Sequence, residues 1–92
     1  MKIHFRGSFK RDVDKVRDLS LLIVLREKIN QIEIPSSPQH VTGLKLLRGY
    51  RSHYRIRIIT GNHSYRIGAV VRANTIWLVR FLPRKKIYKN FP

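Results

Sequence analysis

The chain has 92 residues, with 20 lysines and arginines against five aspartates and glutamates, so its formal net charge is +15 and its isoelectric point about 11.4. This length holds one domain, over residues 1–92, and an apolar content of 42% excludes a merely disordered basic tail. The lack of cysteine excludes disulfides and thiolate metal sites, and no apolar run is long enough to span a membrane. Because no secretion signal is evident, we expect a cytoplasmic protein.

The first third of the chain predicts a strand followed by a helical hairpin. Apolar and polar residues alternate over Lys2–Arg6, which is typical of a strand. Ser8 can cap a first helix that ends near Asp18. A second helix is predicted over roughly Ser20–Ile32, where apolar residues recur on one face. The prolines within 34–38 cannot continue a helix and predict a loop.

The remainder of the chain predicts an antiparallel meander of three strands. Alternating segments cover His53–Thr60, Ser64–Arg72 and Thr75–Leu82, with tight turns at 61–62 and 73–74. Short connections favour pairing of consecutive strands. The predicted fold is therefore a small α+β domain of order β-α-α-β-β-β with a short C-terminal tail. Its helices should cover one face of the sheet and leave the other free.

The charges of the second half predict a cationic cluster on that free face. No aspartate or glutamate follows Glu33. If the intervening isoleucines pack beneath the helices, Arg55 and Arg57 point away from them, and Arg66 joins them from the neighbouring strand. Arginine forks bind phosphate oxygens, and a nearby tyrosine can stack on an unpaired base. The pattern favours single-stranded RNA as the ligand. Solvated surface cations are the alternative, which we favour for Arg72, Arg80 and Lys89.

The histidines do not predict a metal site. They lack the spacing of a metal pair and the carboxylates that would complete a site, and they are His4, His40, His53 and His63. The absence of paired carboxylates from the second half also argues against two-metal nuclease chemistry. A general-base role for His53 or His63 stays open. Trp77 is expected in the core.

Ordered segments of the chain closely resemble the RelE/ParE toxin superfamily, and they are Leu47-Arg48-Gly49, Tyr54–Ile58, Tyr65–Gly68 and Arg84–Tyr88. The likeness extends over nearly the whole chain. The arginine set with a terminal Arg-x-x-x-Tyr is more similar to the RelE branch of mRNA interferases than to the gyrase-poisoning ParE branch. This resemblance implies a toxin of a type II toxin–antitoxin system. RelE-like toxins cleave mRNA in the ribosomal A site without a metal, through attack of a 2′-hydroxyl on the adjacent phosphorus.

The resemblance also implies roles for particular residues. Arg55 and Arg57 stand at two basic positions of the second strand of the family. Arg66 stands at the transition-state arginine, Arg84 at the terminal arginine, and Tyr88 at the tyrosine that stacks on or positions the RNA. Cations near this set are expected to bind RNA, and they are Arg48, Arg51, Lys85 and Lys86. No cofactor or metal is implied.

The chain departs from the family pattern at two places. Some relatives carry lysine where this chain has Arg55 and Arg57, and lysine can act as a base whereas arginine hardly loses its proton. Many relatives have a histidine where this chain has Pro83. The identity of the proton acceptor is therefore open, and slow cleavage is one expectation.

The resemblance implies several partners. They are an acidic antitoxin in a hetero-oligomeric complex, the ribosome with its mRNA, and promoter DNA only through the antitoxin complex; no membrane is implied. Two other functions are kept as alternatives. One is inhibition of DNA gyrase by a ParE-like toxin of the same fold. The other is non-catalytic RNA binding, as in a ribosomal component.

Overall fold

The computed structural model describes residues 1–34 and 40–92. The elements in chain order are β1 (Lys2–Phe5), α1 (Gly7–Asp14), α2 (Leu19–Glu33), β2 (Lys45–Leu46), β3 (His53–Thr60), β4 (His63–Arg72), β5 (Thr75–Pro83) and α3 (Arg84–Asn90). This architecture confirms the predicted α+β class. The loop predicted over 34–38 lies, apart from Ile34, outside the described residues. In the part of the chain that is described, no helix is long and apolar enough to cross a membrane.

The strands form one five-stranded sheet in the order β1-β5-β4-β3-β2. The antiparallel pairing of β3 with β4 and of β4 with β5 agrees with the predicted meander. The first strand pairs with the last in parallel, with Lys2 opposite Thr75. The sequence did not predict β2, a two-residue strand that places Lys45 opposite Arg55 at the far edge. The arginine-bearing strands β3 and β4 therefore lie inside the sheet along part of their length.

The second helix agrees with its predicted range of roughly Ser20–Ile32, but both predicted boundaries of the first helix were wrong. The first helix ends at Asp14 rather than near Asp18. Asp18 instead caps α2, because its carboxylate accepts hydrogen bonds from the backbone N–H groups of Ser20 at 2.9 Å and Leu21 at 3.3 Å. Ser8 lies inside α1 and does not cap it; its hydroxyl donates to the carbonyl of Val79 in β5. These side chains tie the helices to the sheet or to their own first turn.

The main core lies between the sheet and the helices α1 and α2. Ile56, Ile58 and Ile67 are at most 2% exposed there, as their alternation predicted. The prediction for Trp77 was wrong, because alternation with the buried Ile76 places it on the opposite face. There it stacks on His4 of β1, with ring centroids 5.7 Å apart.

The opposite face of the sheet is partly covered by the C-terminal segment. The sequence predicted this segment to be a short tail and this face to be free. This segment forms α3, from which Ile87 is buried, and Phe91 behind it is 4% exposed. The Phe91 ring lies directly on Gly68 of β4, where an added Cβ would come within 2.6 Å of ring carbons. Because glycine has no side chain, the ring can approach the strand backbone this closely. The predicted open face therefore contains a partly enclosed site.

An ion pair fastens α1 to β5. A β-bulge opposite Gly68 and Ala69 inserts Val79 as an extra residue and redirects the strand that follows. Arg80 Nε and Nη2 donate to the Asp12 carboxylate at 2.7 and 3.1 Å, and the Phe81 N–H donates to it at 3.0 Å. Asp12 is only 6% exposed. Arg80 is therefore a structural cation rather than the solvated one that the sequence favoured.

Candidate active site

Three arginines share the sheet face opposite α1 and α2. Arg57 of β3 lies directly across from Arg66 of β4, and Arg55 lies across from Gly68. Cross-strand partners project to the same face, so the three guanidinium groups are neighbours, as their alternation predicted. Their exposure differs. Arg57 is exposed, whereas Arg55 and Arg66 are 8% and 5% exposed.

Arg66 is the most unusual cation of this group. Its Nη1 donates to the Ser64 hydroxyl and to the Tyr65 carbonyl, both at 3.1 Å. Its Nε is buried and has no hydrogen-bond partner among the described residues. No carboxylate of residues 1–34 or 40–92 forms a salt bridge with it. A buried N–H without an acceptor costs free energy, and an anion that reached this N–H would remove that cost.

The surroundings of Arg66 act on its pKa. Burial lowers the pKa of its guanidinium below the ordinary value, and the positive charges of Arg55 and Arg57 lower it further. The side chain of Tyr88, which can accept a hydrogen bond from the guanidinium, acts in the opposite direction and raises this pKa. The guanidinium still keeps its proton at physiological pH, because its ordinary pKa is so high. An approaching phosphate would therefore meet a concentrated positive charge at Arg66, which forms no salt bridge with a carboxylate in the described part of the chain.

Helix α3 and the loop before β3 surround this charge with two cavities. Arg84 and Lys85 line a cavity of about 410 Å³ together with Ser64, whose hydroxyl accepts the hydrogen bond from Arg66 Nη1. Tyr88 and Arg48 line a second cavity of about 270 Å³. Tyr88 is 57% exposed, and it raises the pKa of Arg66. Arg66 itself lines neither cavity, but its hydrogen bond to Ser64 connects it to the first.

The structure does not bring every predicted RNA-binding cation to these recesses. Arg51 is exposed in the bend before β3. Lys86 lines a different cavity, beside Asp12 and Arg80 near α1. Sequence reasoning did not select Tyr50 or Phe91, which form walls of the cavity beside Tyr88. The one available signal was Gly68, since a glycine inside a strand often marks the close approach of another group.

Neither histidine considered as a general base contacts Arg66. His63 Nε2 lies 2.5 Å from Asp18 Oδ2, at the N-terminus of α2. The Ser20 hydroxyl and His63 together hold the pKa of Asp18 at about 2. The His53 ring packs against Tyr50 at 5.1 Å and Phe91 at 5.6 Å. Both rings thus have structural neighbours, and within the described ranges no three His, Asp or Glu side chains come together as a metal site would require.

Known structures and sequences resemble the chain along its whole length. The toxin–antitoxin complex RelB–RelE from Methanococcus jannaschii contains a chain that superposes with a TM-score of 0.71 at 32% identity, covering 97% of this chain and 99% of that one. A curated protein of Methanocaldococcus jannaschii, Toxin RelE3, is 37% identical over 97 aligned residues that cover both chains completely. The chain belongs to the RelE toxin family.

A more distant RelE-like fold is found in a copper-bound mutant toxin from Helicobacter pylori, with a TM-score of 0.57, 17% identity and coverage of 95% of this chain and 98% of that one. This similarity concerns the fold alone. No family model matches the sequence. The full-length similarity to Toxin RelE3 confirms the resemblance seen in the arginine-bearing segments. The roles of individual residues in this RelE toxin stay predictions.

The contact between Gly68 and Phe91 gives a first test of how the site is held together. Replacement of Gly68 by alanine should lower the free energy of unfolding by about 1–3 kcal/mol, because the new Cβ would lie 2.6 Å from the Phe91 ring and displace it. Urea denaturation measures this effect. Gly7→Ala is the matched control, since there the nearest atom is the flexible end of Arg11 at 3.3 Å. Equal stability of the two variants would contradict the packing described here.

Proposed function

We propose that this RelE toxin is a ribosome-dependent, metal-independent endoribonuclease that cleaves mRNA and so inhibits translation. The single observation that carries the proposal is Arg66, a buried guanidinium with a free Nε beside two further arginines. A site of this kind is suited to a group that gains negative charge as it reacts. The phosphodiester of RNA is such a group, and the net charge of +15 favours its approach.

The proposed reaction is an internal transesterification. The ribose 2′-oxygen attacks the adjacent phosphorus, and a new bond forms between them. The bond from phosphorus to the 5′-oxygen of the next nucleotide breaks, and that oxygen takes up a proton. The products are a 2′,3′-cyclic phosphate and a free 5′-hydroxyl. DNA is not cleaved, because it lacks the nucleophile.

Arg55, Arg57 and Arg66 stabilise the pentavalent phosphorus more than the ground state, because the transition state carries the greater negative charge. Tyr88 and Arg84 hold the RNA so that the attacking oxygen, phosphorus and leaving oxygen lie nearly in line. The side chains of Arg48, Arg51, Lys85 and Lys86 would bind flanking phosphates; Lys86, which faces α1, is the least suited to this role.

None of the residues assigned to this site is suited to accept the 2′-hydroxyl proton. Guanidinium groups do not accept protons at physiological pH, so the arginines cannot act as the general base. Pro83 offers no proton acceptor before Arg84. We propose that the 2′-hydroxyl proton passes to solvent and that cleavage depends on charge stabilisation and alignment. The intrinsic rate should accordingly be low.

The proposed partners follow from the charge and from the related complex. The RelE chain of the Methanococcus jannaschii structure is bound to the antitoxin RelB. We propose an acidic antitoxin for this toxin as well, because such a partner would neutralise a surface whose like charges repel one another. Binding to promoter DNA would belong to that complex. Action on mRNA would take place at cytoplasmic ribosomes.

Primer extension on a reporter mRNA during brief induction in cells tests the proposal. We expect discrete breaks in frame with translation from the wild type and none from Arg66→Ala. A translation inhibitor should also suppress the breaks if ribosomes are required. Growth arrest with intact mRNA would reject mRNA cleavage and favour inhibition of DNA gyrase. RNA binding without growth arrest would indicate a non-catalytic RNA-binding protein.

A further inference from the structure

The first strand of the chain carries three polar side chains that the proposed reaction does not use. They form what we call the β1 edge, and they are Lys2, His4 and Arg6, which alternate along β1 and the extended residue after it. His4 lies opposite Trp77 of β5, and Trp77 lies opposite Val70 of β4. Val70 and Arg66 are four residues apart on one strand, so their side chains project to the same face. The sheet face that carries Arg66 therefore continues to the β1 edge.

His4 and Trp77 form a stacked pair at this edge. Their ring centroids are 5.7 Å apart, and the ring planes are inclined by 21°. The imidazole is exposed, whereas the indole behind it is half-buried. Among the described residues β1 is the last strand of the sheet, so no strand lies beside the outer side of the imidazole. A third planar ring can therefore extend the stack from that side.

Cations stand on both sides of this stack along the strand. Lys2 and Arg6 are each two residues from His4, about 7 Å away along β1, and both are exposed. Neither forms a salt bridge within residues 1–34 and 40–92. The five acidic residues of the chain belong to α1, α2 or the turn between them, and these helices pack on the other face of the sheet. An exposed ring between two cations matches a planar base between two phosphates.

We propose that the β1 edge binds an unpaired base of the mRNA outside the cleaved segment. The base stacks on His4, and Lys2 and Arg6 bind the phosphates on either side of it. This inference rests on the proposed function for its ligand and adds a second contact to the same RNA strand. His4 and Arg66 lie on one face, about 10 Å apart across two strand spacings and about 13 Å apart along the strands. A few nucleotides of extended RNA span that distance.

The fluorescence of Trp77 gives a direct measurement, because it is the only tryptophan of the chain. A single-stranded RNA of about 12 nucleotides, a usual length for such sites, is methylated at its 2′-hydroxyls to prevent cleavage. It is titrated into the full chain without ribosomes. We expect the Trp77 signal to be quenched by this RNA and unchanged by inorganic polyphosphate, which carries charge but no bases. Equal quenching by polyphosphate, or none by RNA, would overturn the inference.

Variants of the β1 edge separate stacking from charge. His4→Ala should weaken binding of the methylated RNA about fivefold or more, because one stacking partner is lost. His4→Phe keeps a ring and should bind as the wild type does. The double variant Lys2→Ala/Arg6→Ala should reduce the slope of log K against log salt by about 1 to 1.5. Lys10→Ala, an exposed cation of α1, is the matched control and should change neither quantity. Wild-type affinity in His4→Ala would contradict the proposed stack.

Other occupants of the β1 edge would give different results. A Trp77 signal that changes with protein concentration in the absence of RNA would assign this edge strand to a second copy of the chain. A response to poly-glutamate but not to RNA would assign it to an acidic protein, and either result overturns the inference. If the wild type and His4→Ala bind and cleave mRNA equally, the proposed function stands and only this contact is rejected. Quenching by methylated RNA without any mRNA cleavage would keep the contact and reject the proposed function.

Discussion

Replacement of Arg66 by methionine is expected to abolish cleavage and at the same time to stabilise the protein. Activity on a translated mRNA should fall by about 10²–10³-fold, the usual effect of removing a group that stabilises a charged transition state. The free energy of unfolding should rise by about 1 kcal/mol or more, because an apolar side chain of similar length removes a buried cation that has like-charged neighbours and no carboxylate.

The two effects are measured separately, by urea denaturation and by primer extension with translating ribosomes. Arg72→Met is the matched control, because Arg72 is an exposed cation of the same strand. Its stability should change by no more than about 0.5 kcal/mol, and its activity should be retained. A destabilised Arg66→Met would indicate that the bonds to Ser64 and Tyr65 outweigh the electrostatic cost. A stable but fully active variant would remove Arg66 from the proposed reaction.

The second large effect is expected at Asp12, which the cleavage reaction does not use. Asp12→Ala should lower the free energy of unfolding by about 3–5 kcal/mol, because it leaves the Arg80 guanidinium and the buried Phe81 N–H without their acceptor. This loss is large beside the total stability of a small domain, about 5–15 kcal/mol. The variant should therefore unfold at much lower denaturant concentrations.

Two further variants distinguish the contribution of the Asp12–Arg80 ion pair from the cost of leaving the Phe81 N–H without an acceptor. Asp12→Asn keeps an oxygen for the Phe81 N–H and should lose less stability than Asp12→Ala. Asp14→Ala changes an exposed carboxylate of the same helix and should stay within about 0.5 kcal/mol of wild type. If Asp12→Ala were as stable as Asp14→Ala, the bonds to β5 would contribute little to the fold.

The sequence predicted those parts of the molecule that depend on local periodicity. Alternation in β3 and β4 placed Ile56 and Ile67 in the core and put Arg57 beside Arg66 on the other face, because a strand has a fixed period of two. The similarity of the ordered arginine segments then indicated the family, which full-length comparison confirms.

The errors arose where distant parts of the chain meet. Alternation gives the face of a side chain but not what covers that face, so Arg66 was expected at an open surface although it is buried on a strand that α3 contacts. The pairing of Asp12 with Arg80 depends on a bulge that no local pattern reveals. Tyr50 was overlooked because its cavity also needs Phe91, which reaches it only through the packing on Gly68.

The parallel pairing of β1 with β5 affects the order in which the sheet can form while the toxin is being synthesised. Lys2 finds its partner only when Thr75 is available, so the first strand synthesised must wait for the last strand before the sheet can close. The hairpin of β3 and β4 can form earlier, because its partners are near in sequence. Tyr88 and Phe91 follow β5, so a nascent chain can display the arginines before it has the walls around them. During its own translation the toxin would therefore be cationic but not yet competent to hold an RNA.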